Sequence, residues 1–278
     1  MLADFAFGGM RVAVQQRLRP HHHPCDAVAV LRCLLIHEGA LHRVWGHPAA
    51  AIAACRDAEV VLGVGRERRF EPPILELRRM LEAGELGTPL QVEANFSQDK
   101  FLALPADNWR LSAAEAPAGP MTATGIHLLD LGVSMLGPAE QVLAHVRQIG
   151  SGLANGDTLA LTVQFRTGAN ALISAILATP FDGRFAIYGS KGWAEVRDKA
   201  HPENSESWTL TKAIRGEGRS TRDFPPAPAV RANLEAFAAA ASGGPAYPVP
   251  PEQMLDTIAA FEAVVRSSRS GRIEPVEG

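Results

Sequence analysis

The chain has 278 residues, with 27 Lys and Arg against 30 Asp and Glu, a formal net charge of −3 and a pI near 6.3. That balance excludes a basic nucleic-acid surface or an anionic membrane as the main partner. At 46% hydrophobic and 21% charged residues the chain can build one large domain or two modest ones, and no apolar run approaches the roughly 18 residues a spanning helix needs.

The N-terminal residues Met1-Leu2-Ala3-Asp4-Phe5 lack the basic start and apolar stretch of a signal peptide. Three scattered cysteines, Cys25, Cys33 and Cys55, form neither a disulfide framework nor a zinc motif, and predict a reducing, cytoplasmic compartment. Up to about residue 50 the periodicity is weak. Two apolar runs, 27–31 and 34–36, and an Ala-rich, helix-prone stretch at 49–54 stand out. His21-His22-His23, with His37, His42, His47 and Cys25, suggests metal binding, but adjacent histidines rarely converge on one ion and no carboxylate stands at ligand spacing, so no metal site is expected.

From residue 57 the pattern sharpens. Residues 60–64 are a short apolar, β-branched run and read as a buried strand. Pro72-Pro73 opens a helix with Ile74, Leu77, Met80 and Leu81 at helical spacing, and Gly84-Glu85-Leu86-Gly87 ends it. Residues 90–96 alternate as a strand. A second helix is predicted over 121–136, stopped by Gly137-Pro138. Strands follow at 143–147, 158–165, 169–178, 185–188 and 193–196. Their tight connections predict an antiparallel sheet. The polar, Pro-rich stretch 198–228 reads as a loop or lid, and 229–241 and 251–268 as helices. The element order fits an α+β layer, an open, mostly antiparallel sheet with helices on one face. The uncovered face predicts a second subunit, hence a homo-oligomer.

Five segments, in order, carry a family resemblance. They are residues 61–70 with their Arg-Phe turn, the helix ending in Gly-Glu-Leu-Gly (84–87), Asn108-Trp109-Arg110, Gly125-x-His127-x-x-Asp130, and 185–192 with its Gly-Ser-Lys-Gly turn. Together they resemble the C-terminal half of the Gfo/Idh/MocA (glucose–fructose oxidoreductase / inositol dehydrogenase) oxidoreductases. The family's helix motif begins with an Asp where this chain has Ala123, and neither the family's Glu-Lys-Pro nor a GxGxxG phosphate loop occurs.

The resemblance implies a division into residues 1–64, an incomplete Rossmann-like remnant, and 65–278, a substrate and dimerisation domain. It implies NAD or NADP as cofactor and a small sugar- or polyol-like substrate. His127 is then the proton-transferring residue, as an imidazole suits that role near neutral pH. Asp130, three residues on and on the same helical face, and Thr124 are substrate-binding candidates. Arg68, Trp109 and Arg110 are cofactor-binding candidates. Each has a bland counterpart: a packed His or Trp, or an Arg in an ion pair. The rival function is a family-derived binding or dimerisation module that works without cofactor.

Overall fold

The computed structural model describes residues 2–7, 10–15, 33–36, 48–202 and 206–277. The histidine run 21–23, Cys25, His37, His42, His47 and the apolar run 27–31 lie outside them. The chain divides into two compact units, Met1–Glu67 with Val230–Met254, and Arg68–Ala229 with Leu255–Gly278.

In the first unit, β1 (Leu2–Phe7) and β2 (Met10–Gln15) form an antiparallel hairpin. Strands β3 (Cys33–Ile36) and β4 (Val61–Val64) pair in parallel, and α1 (Pro48–Asp57) lies between them in sequence. A parallel pair needs a long connection, and this one is a helix, so β3–α1–β4 is a single βαβ crossover. The carbonyl of Val64 accepts hydrogen bonds from Asn233 Nδ2 at 3.2 Å and the Tyr247 hydroxyl at 3.0 Å. Asn233 belongs to α4 (Ala229–Ala241), so a late segment of the chain bonds to the buried end of this early strand.

The second unit is built on a sheet of nine strands. In chain order they are β5 (Pro89–Ser97), β6 (Ala139–Arg147), β7 (Thr158–Phe165), β8 (Asn170–Ile176), β9 (Asp182–Gly189), β10 (Gly192–Asp198), β11 (Trp208–Ile214), β12 (Gly218–Phe224) and β13 (Glu274–Pro275). Across the sheet the order is β12-β11-β10-β9-β5-β8-β7-β6-β13. Every neighbouring pair is antiparallel except β5 and β8. The α+β reading holds, with more strands than the sequence suggests. The polar stretch 198–228 contains the hairpin β11–β12 rather than a loop throughout. Its outer strand exposes every residue except Phe224, as an edge strand can, and so shows no apolar alternation to read.

Three helices cover one face: α2 (Pro72–Glu82), α3 (Ile126–Leu136) and α5 (Pro251–Ser270). Pro72 and Pro73 fit the first turn of α2, where the missing amide protons cost nothing. Ile74, Leu77 and Met80 then meet the sheet with no exposed surface. Leu159, Leu161, Val163 and Phe165 of β7, Val92, Ala94 and Phe96 of β5, and Phe185 and Ile187 of β9 supply the facing layer. Burying a Leu- or Phe-sized side chain contributes about 1.5–3 kcal/mol, so this layer fixes the strand register: a slip by one residue would turn each row to the other face.

Two of the family-like turns meet in space. After α2 the chain passes Gly84 and Gly87, both at positive φ. The carbonyls of Leu86 and Thr88 accept the amides of Lys191 and Ser190, each at 2.9 Å. The Gly-Glu-Leu-Gly and Gly-Ser-Lys-Gly turns thus brace each other where β5 and β9 pair.

The other face of the sheet carries an ion network. Arg184 bridges Glu93 at 3.1 Å and Glu195 at 3.3 Å, and Arg197 bridges Glu195 at 3.0 Å and Asp182 at 3.4 Å. Towards the turns of β9–β10 and β11–β12, Tyr188, Trp193 and Arg219 line a shallow depression of about 410 Å³.

Candidate functional site

The predicted helix 121–136 is two structures in series. Met121–Gly125 is a π-helical turn, and α3 starts at Ile126. Such turns are rare and occur mostly as local widenings of a helix, frequently at functional sites. Gly125 stands at the junction. A Cβ there would lie 3.0 Å from Met121 Sδ and 3.1 Å from Leu159 Cδ2, so packing against β7 explains the glycine of the motif. Thr124 is fully buried. Its hydroxyl is 2.8 Å from the carbonyl of Phe96 and 3.3 Å from that of Pro120, tying the turn to β5.

His127, half-buried in the first turn of α3, lies against Phe96 with ring centroids 6.0 Å apart and planes tilted by 47°. Phe96 is the hub of a larger ring cluster. His201 packs on it at 5.6 Å and Phe181 at 6.1 Å, and Phe181 meets His201 edge-on at 5.5 Å. Lys100 Nζ lies 3.1 Å from His201 Nδ1, and the Arg68 guanidinium stands 5.4 Å from the centre of the Phe96 ring. The C-terminal end of β5 thus gathers two imidazoles and the Arg68 guanidinium around one phenyl ring.

Asp130 is placed differently from His127. Both of its carboxylate oxygens accept from Arg69, Nε and Nη2 at 2.6 Å each, and the Thr257 hydroxyl adds a bond of 3.3 Å. The pair is 5% and 3% exposed. A fork-to-fork ion pair of this kind is the strong, oriented form of the interaction. It holds α3 to the turn at Glu67–Phe70.

Arg68, the neighbour of Arg69, is equally committed. It meets Glu71 at 3.1 Å and Asp198 at 2.8 Å, all with side chains at most 2% exposed. Burial works against the charged guanidinium, but the carboxylates of Asp198 and Glu71 outweigh it and raise its pKa. Asp198 pairs across the strands with Gly183. A side chain at Gly183 would collide with the Asp198 carboxylate, so the glycine leaves room for the ion pair. Arg68 Nη1 remains buried with no hydrogen-bond partner among the described residues.

Trp109 and Arg110 lie in the short 3-10 turn Trp109–Leu111, away from full burial, with the guanidinium stacked 4.6 Å over the indole. The Asn108 side chain caps that turn by accepting from the Arg110 amide at 3.0 Å. Asn155 anchors the loop from the other side, donating to the carbonyls of Arg110 at 2.8 Å and Ala116 at 3.0 Å.

The structure therefore brings His127, Thr124 and Arg68 together around Phe96, ties Asp130 to Arg69, and keeps Trp109 and Arg110 stacked on each other. His201, Lys100, Phe181 and Arg69 were not among the sequence candidates. His201 follows no motif and lies in a stretch without periodicity, so nothing in the sequence marked it. The described residues hold one βαβ crossover, and the sequence has no GxGxxG turn. Nor do they hold a group of three or more His, Cys, Asp or Glu fit for a metal ion. Among them no helix is long and apolar enough to cross a membrane.

The chain is similar to known proteins over much of its length. Residues 74–195 match the family model described as the GFO/IDH/MocA C-terminal domain. The D-xylose 1-dehydrogenase (NADP(+)) 2 of Haloferax volcanii is 26% identical over 227 residues, 80% of this chain and 67% of that protein. Inositol 2-dehydrogenase 2 of Saccharopolyspora erythraea is 27% identical over 238 residues, 81% of this chain and 64% of that protein. Other curated oxidoreductases are matched over only 46% and 50% of their length. Among solved structures, the aldose-aldose oxidoreductase of Caulobacter crescentus, complexed with glycerol, superposes with a TM-score of 0.74 at 23% identity, over 87% of this chain and 71% of that one. Over residues 74–195 the chain is thus similar to the C-terminal domain of the GFO/IDH/MocA family of oxidoreductases.

Proposed function

We propose that the chain is the substrate-side part of an NAD(P)-dependent oxidoreductase that moves a hydride to or from a hydroxyl carbon of a sugar or polyol. The observation that carries this reading is His127. It is a half-buried imidazole at the π-to-α junction, inside the family-matched segment, with its ring against Phe96. An alcohol gives up its hydroxyl proton as it is oxidised, and an imidazole near neutral pH is suited to take it. Residues 65–278 form the substrate and dimerisation domain in this reading, and residues 1–64 the remnant of a dinucleotide domain. The relatives' names, a xylose and an inositol dehydrogenase, support a polyhydroxylated substrate. The open sheet face, with Leu172 45% exposed beside its ion network, is where a second copy would dock.

Ala123 removes the carboxylate that the family motif would place four residues before His127, so the imidazole works without that partner. Asp130 acts through Arg69 by fixing the helix that carries His127.

Titration of NADH and NADPH by fluorescence tests the reading. Binding, together with a fall in turnover of about 10²–10⁴ in His127→Ala at unchanged cofactor affinity, is the expected result. No binding at millimolar cofactor would instead leave the chain as a binding or dimerisation module. Equal loss of turnover and cofactor affinity in His127→Ala would make His127 structural.

A further inference from the structure

The depression near the turns of β9–β10 and β11–β12 is built from one row of side chains. Tyr188, Trp193, Ala213 and Arg219 are successive cross-strand partners on β9, β10, β11 and β12. They stand on the open face, since Ile187 and Ala194, next to Tyr188 and Trp193 in sequence, are buried in the core. Neighbouring strands run about 4.8 Å apart. Ala213 is the small member of the row, so a hollow opens between Trp193 and Arg219. Its volume of about 410 Å³ lies in the range of roughly 300–1,000 Å³ that receives small molecules. The rings of Tyr188 and Trp193 lie 6.3 Å apart, tilted by 36°, and form an aromatic wall. The Arg219 guanidinium leans towards that wall, 5.3 Å from the centre of the Trp193 ring.

The turns add two more cations. The Arg215 amide donates to the carbonyl of Lys191 at 2.8 Å, and Arg215 Nη2 donates to the carbonyl of Ser190 at 2.9 Å. One turn is thereby tied to the other, and the guanidinium is held beside the Gly-Ser-Lys-Gly turn. Lys191, Arg215 and Arg219 are exposed and line the same depression, and no carboxylate lines it. On the same face Arg184 and Arg197 each meet two carboxylates. Lys191, Arg215 and Arg219 form no ion pair among the described residues. Three like charges gathered without a counter-charge, on a chain of formal net charge −3, create a local positive field that an anion would neutralise.

We infer that this depression binds a phosphate ester of a ring compound, with the phosphate on Arg215, Arg219 and Lys191 and the ring against Trp193 and Tyr188. A guanidinium offers parallel donors that match phosphate oxygens, and a phosphate dianion answers three cations better than one carboxylate does. Inorganic phosphate would use the cations and leave the aromatic wall in water. A neutral sugar or nucleoside would do the reverse. A sugar phosphate and a nucleoside monophosphate share the required chemistry, a dianion joined to a ring with an apolar face. The site stands apart from His127 and does not depend on the functional reading above. Leu172, the exposed apolar residue of the open face, is on β8, two strands beyond β9.

The test is calorimetric titration of the full chain at low salt with glucose 6-phosphate and AMP, and with glucose, adenosine and inorganic phosphate as comparisons. At least one ester should bind about tenfold or more tightly than inorganic phosphate and than its own unphosphorylated parent; which ester does so identifies the ring. Arg215→Met and Arg219→Met should each weaken that binding about tenfold, and added salt should weaken it in the unaltered chain. Trp193→Leu should remove the advantage over inorganic phosphate. Arg147→Met, an exposed cation at the end of β6 across the sheet, should bind as the unaltered chain does. No ester binding at millimolar concentration, esters no tighter than inorganic phosphate, or affinity unchanged in Arg215→Met and Arg219→Met overturns the assignment. An equal loss in Arg147→Met also overturns it, by reducing the effect to overall charge. Sedimentation velocity without ligand covers the remaining case: a change of oligomeric state in Arg215→Met or Arg219→Met would give these cations to a contact between copies and overturn the site.

Discussion

The two faces of the nine-stranded sheet both carry arginine–carboxylate networks, and they put them to opposite use. On the covered face Arg68, Glu71 and Asp198, and Arg69 with Asp130, are enclosed among the helices at 5% exposure or less. On the open face Arg184, Glu93, Glu195, Arg197 and Asp182 form a comparable ladder with exposures between 18% and 52%. A buried ion loses its water and must recover that cost through geometry. An exposed one keeps its water and gains little from its partner. Similar chemistry therefore locks the helix that carries His127 on one side, and leaves a hydrated charged surface on the other.

Breaking the covered network should have the largest effect. Arg69→Met leaves the Asp130 carboxylate buried without its partner and should cost about 3–5 kcal/mol, read as a lowered urea midpoint at unchanged slope. A loss below about 1 kcal/mol would mean that water reaches the pair, and the contrast between the faces would fail.

A second effect lies at the sheet's end. Asp157, fully buried, accepts from the amides of Ile149, Gly150 and Ser151 at 2.7–3.1 Å and from the hydroxyls of Ser151 and Thr158. Burial opposes its charge, but these donors prevail and hold its carboxyl below the usual range. With the folded pKa below the unfolded one, near 3.9, its contribution is complete above the unfolded value and is lost as pH falls from there through the folded one. Asp157→Asn should cost about 1.5–3 kcal/mol at pH 7. The deficit should shrink below about pH 4, as measured by urea unfolding at both pH values. A deficit that stays constant with pH would assign the loss to shape rather than charge.

Smaller again, Gly125→Ala forces a Cβ against Met121 and Leu159 and should cost about 1–3 kcal/mol. It should also weaken any polyol response of His127. The least effect belongs to the open face. Arg184→Met should change stability by about 0–1 kcal/mol, and that difference should vanish in high salt. Raised pKa or not, Arg184 remains in reach of water; a loss as large as that of Arg69→Met would show that this face is covered in solution.

Much of the second unit was legible because its elements bury one side and alternate. The helix Pro72–Glu82 and strand Thr158–Phe165 fall where spacing predicted them. The hairpin β11–β12 did not declare itself, since nearly all of its outer strand faces solvent. Residues 33–36 showed only a short apolar run, and their pairing with β4 depends on a crossover that propensity does not specify. At the site, His127 was visible through its helix motif. The separation of His127 from Asp130 was not, because helical spacing places them on one face, whereas the partner that claims Asp130 lies 61 residues earlier. His201 reaches Phe96 from 105 residues away in sequence, a relation that no local pattern encodes.

The lone parallel pairing in the sheet governs how the molecule assembles. Strand β5 finds its partners only through distant chain: Asn95 faces Ser174 on one side and Arg184 on the other. The ribbons β6–β7–β8 and β9–β10–β11–β12 can each form from adjacent hairpins, but both must wait for β5 to join them. Closing those long loops is the slow step expected of such a topology. Until it happens both edges of β5 stay unpaired, and nascent chains are open to association through that strand. The strand that gathers the histidines is thus the one whose late docking sets the pace of folding, and dilution or a chaperone during refolding should raise the yield of native protein.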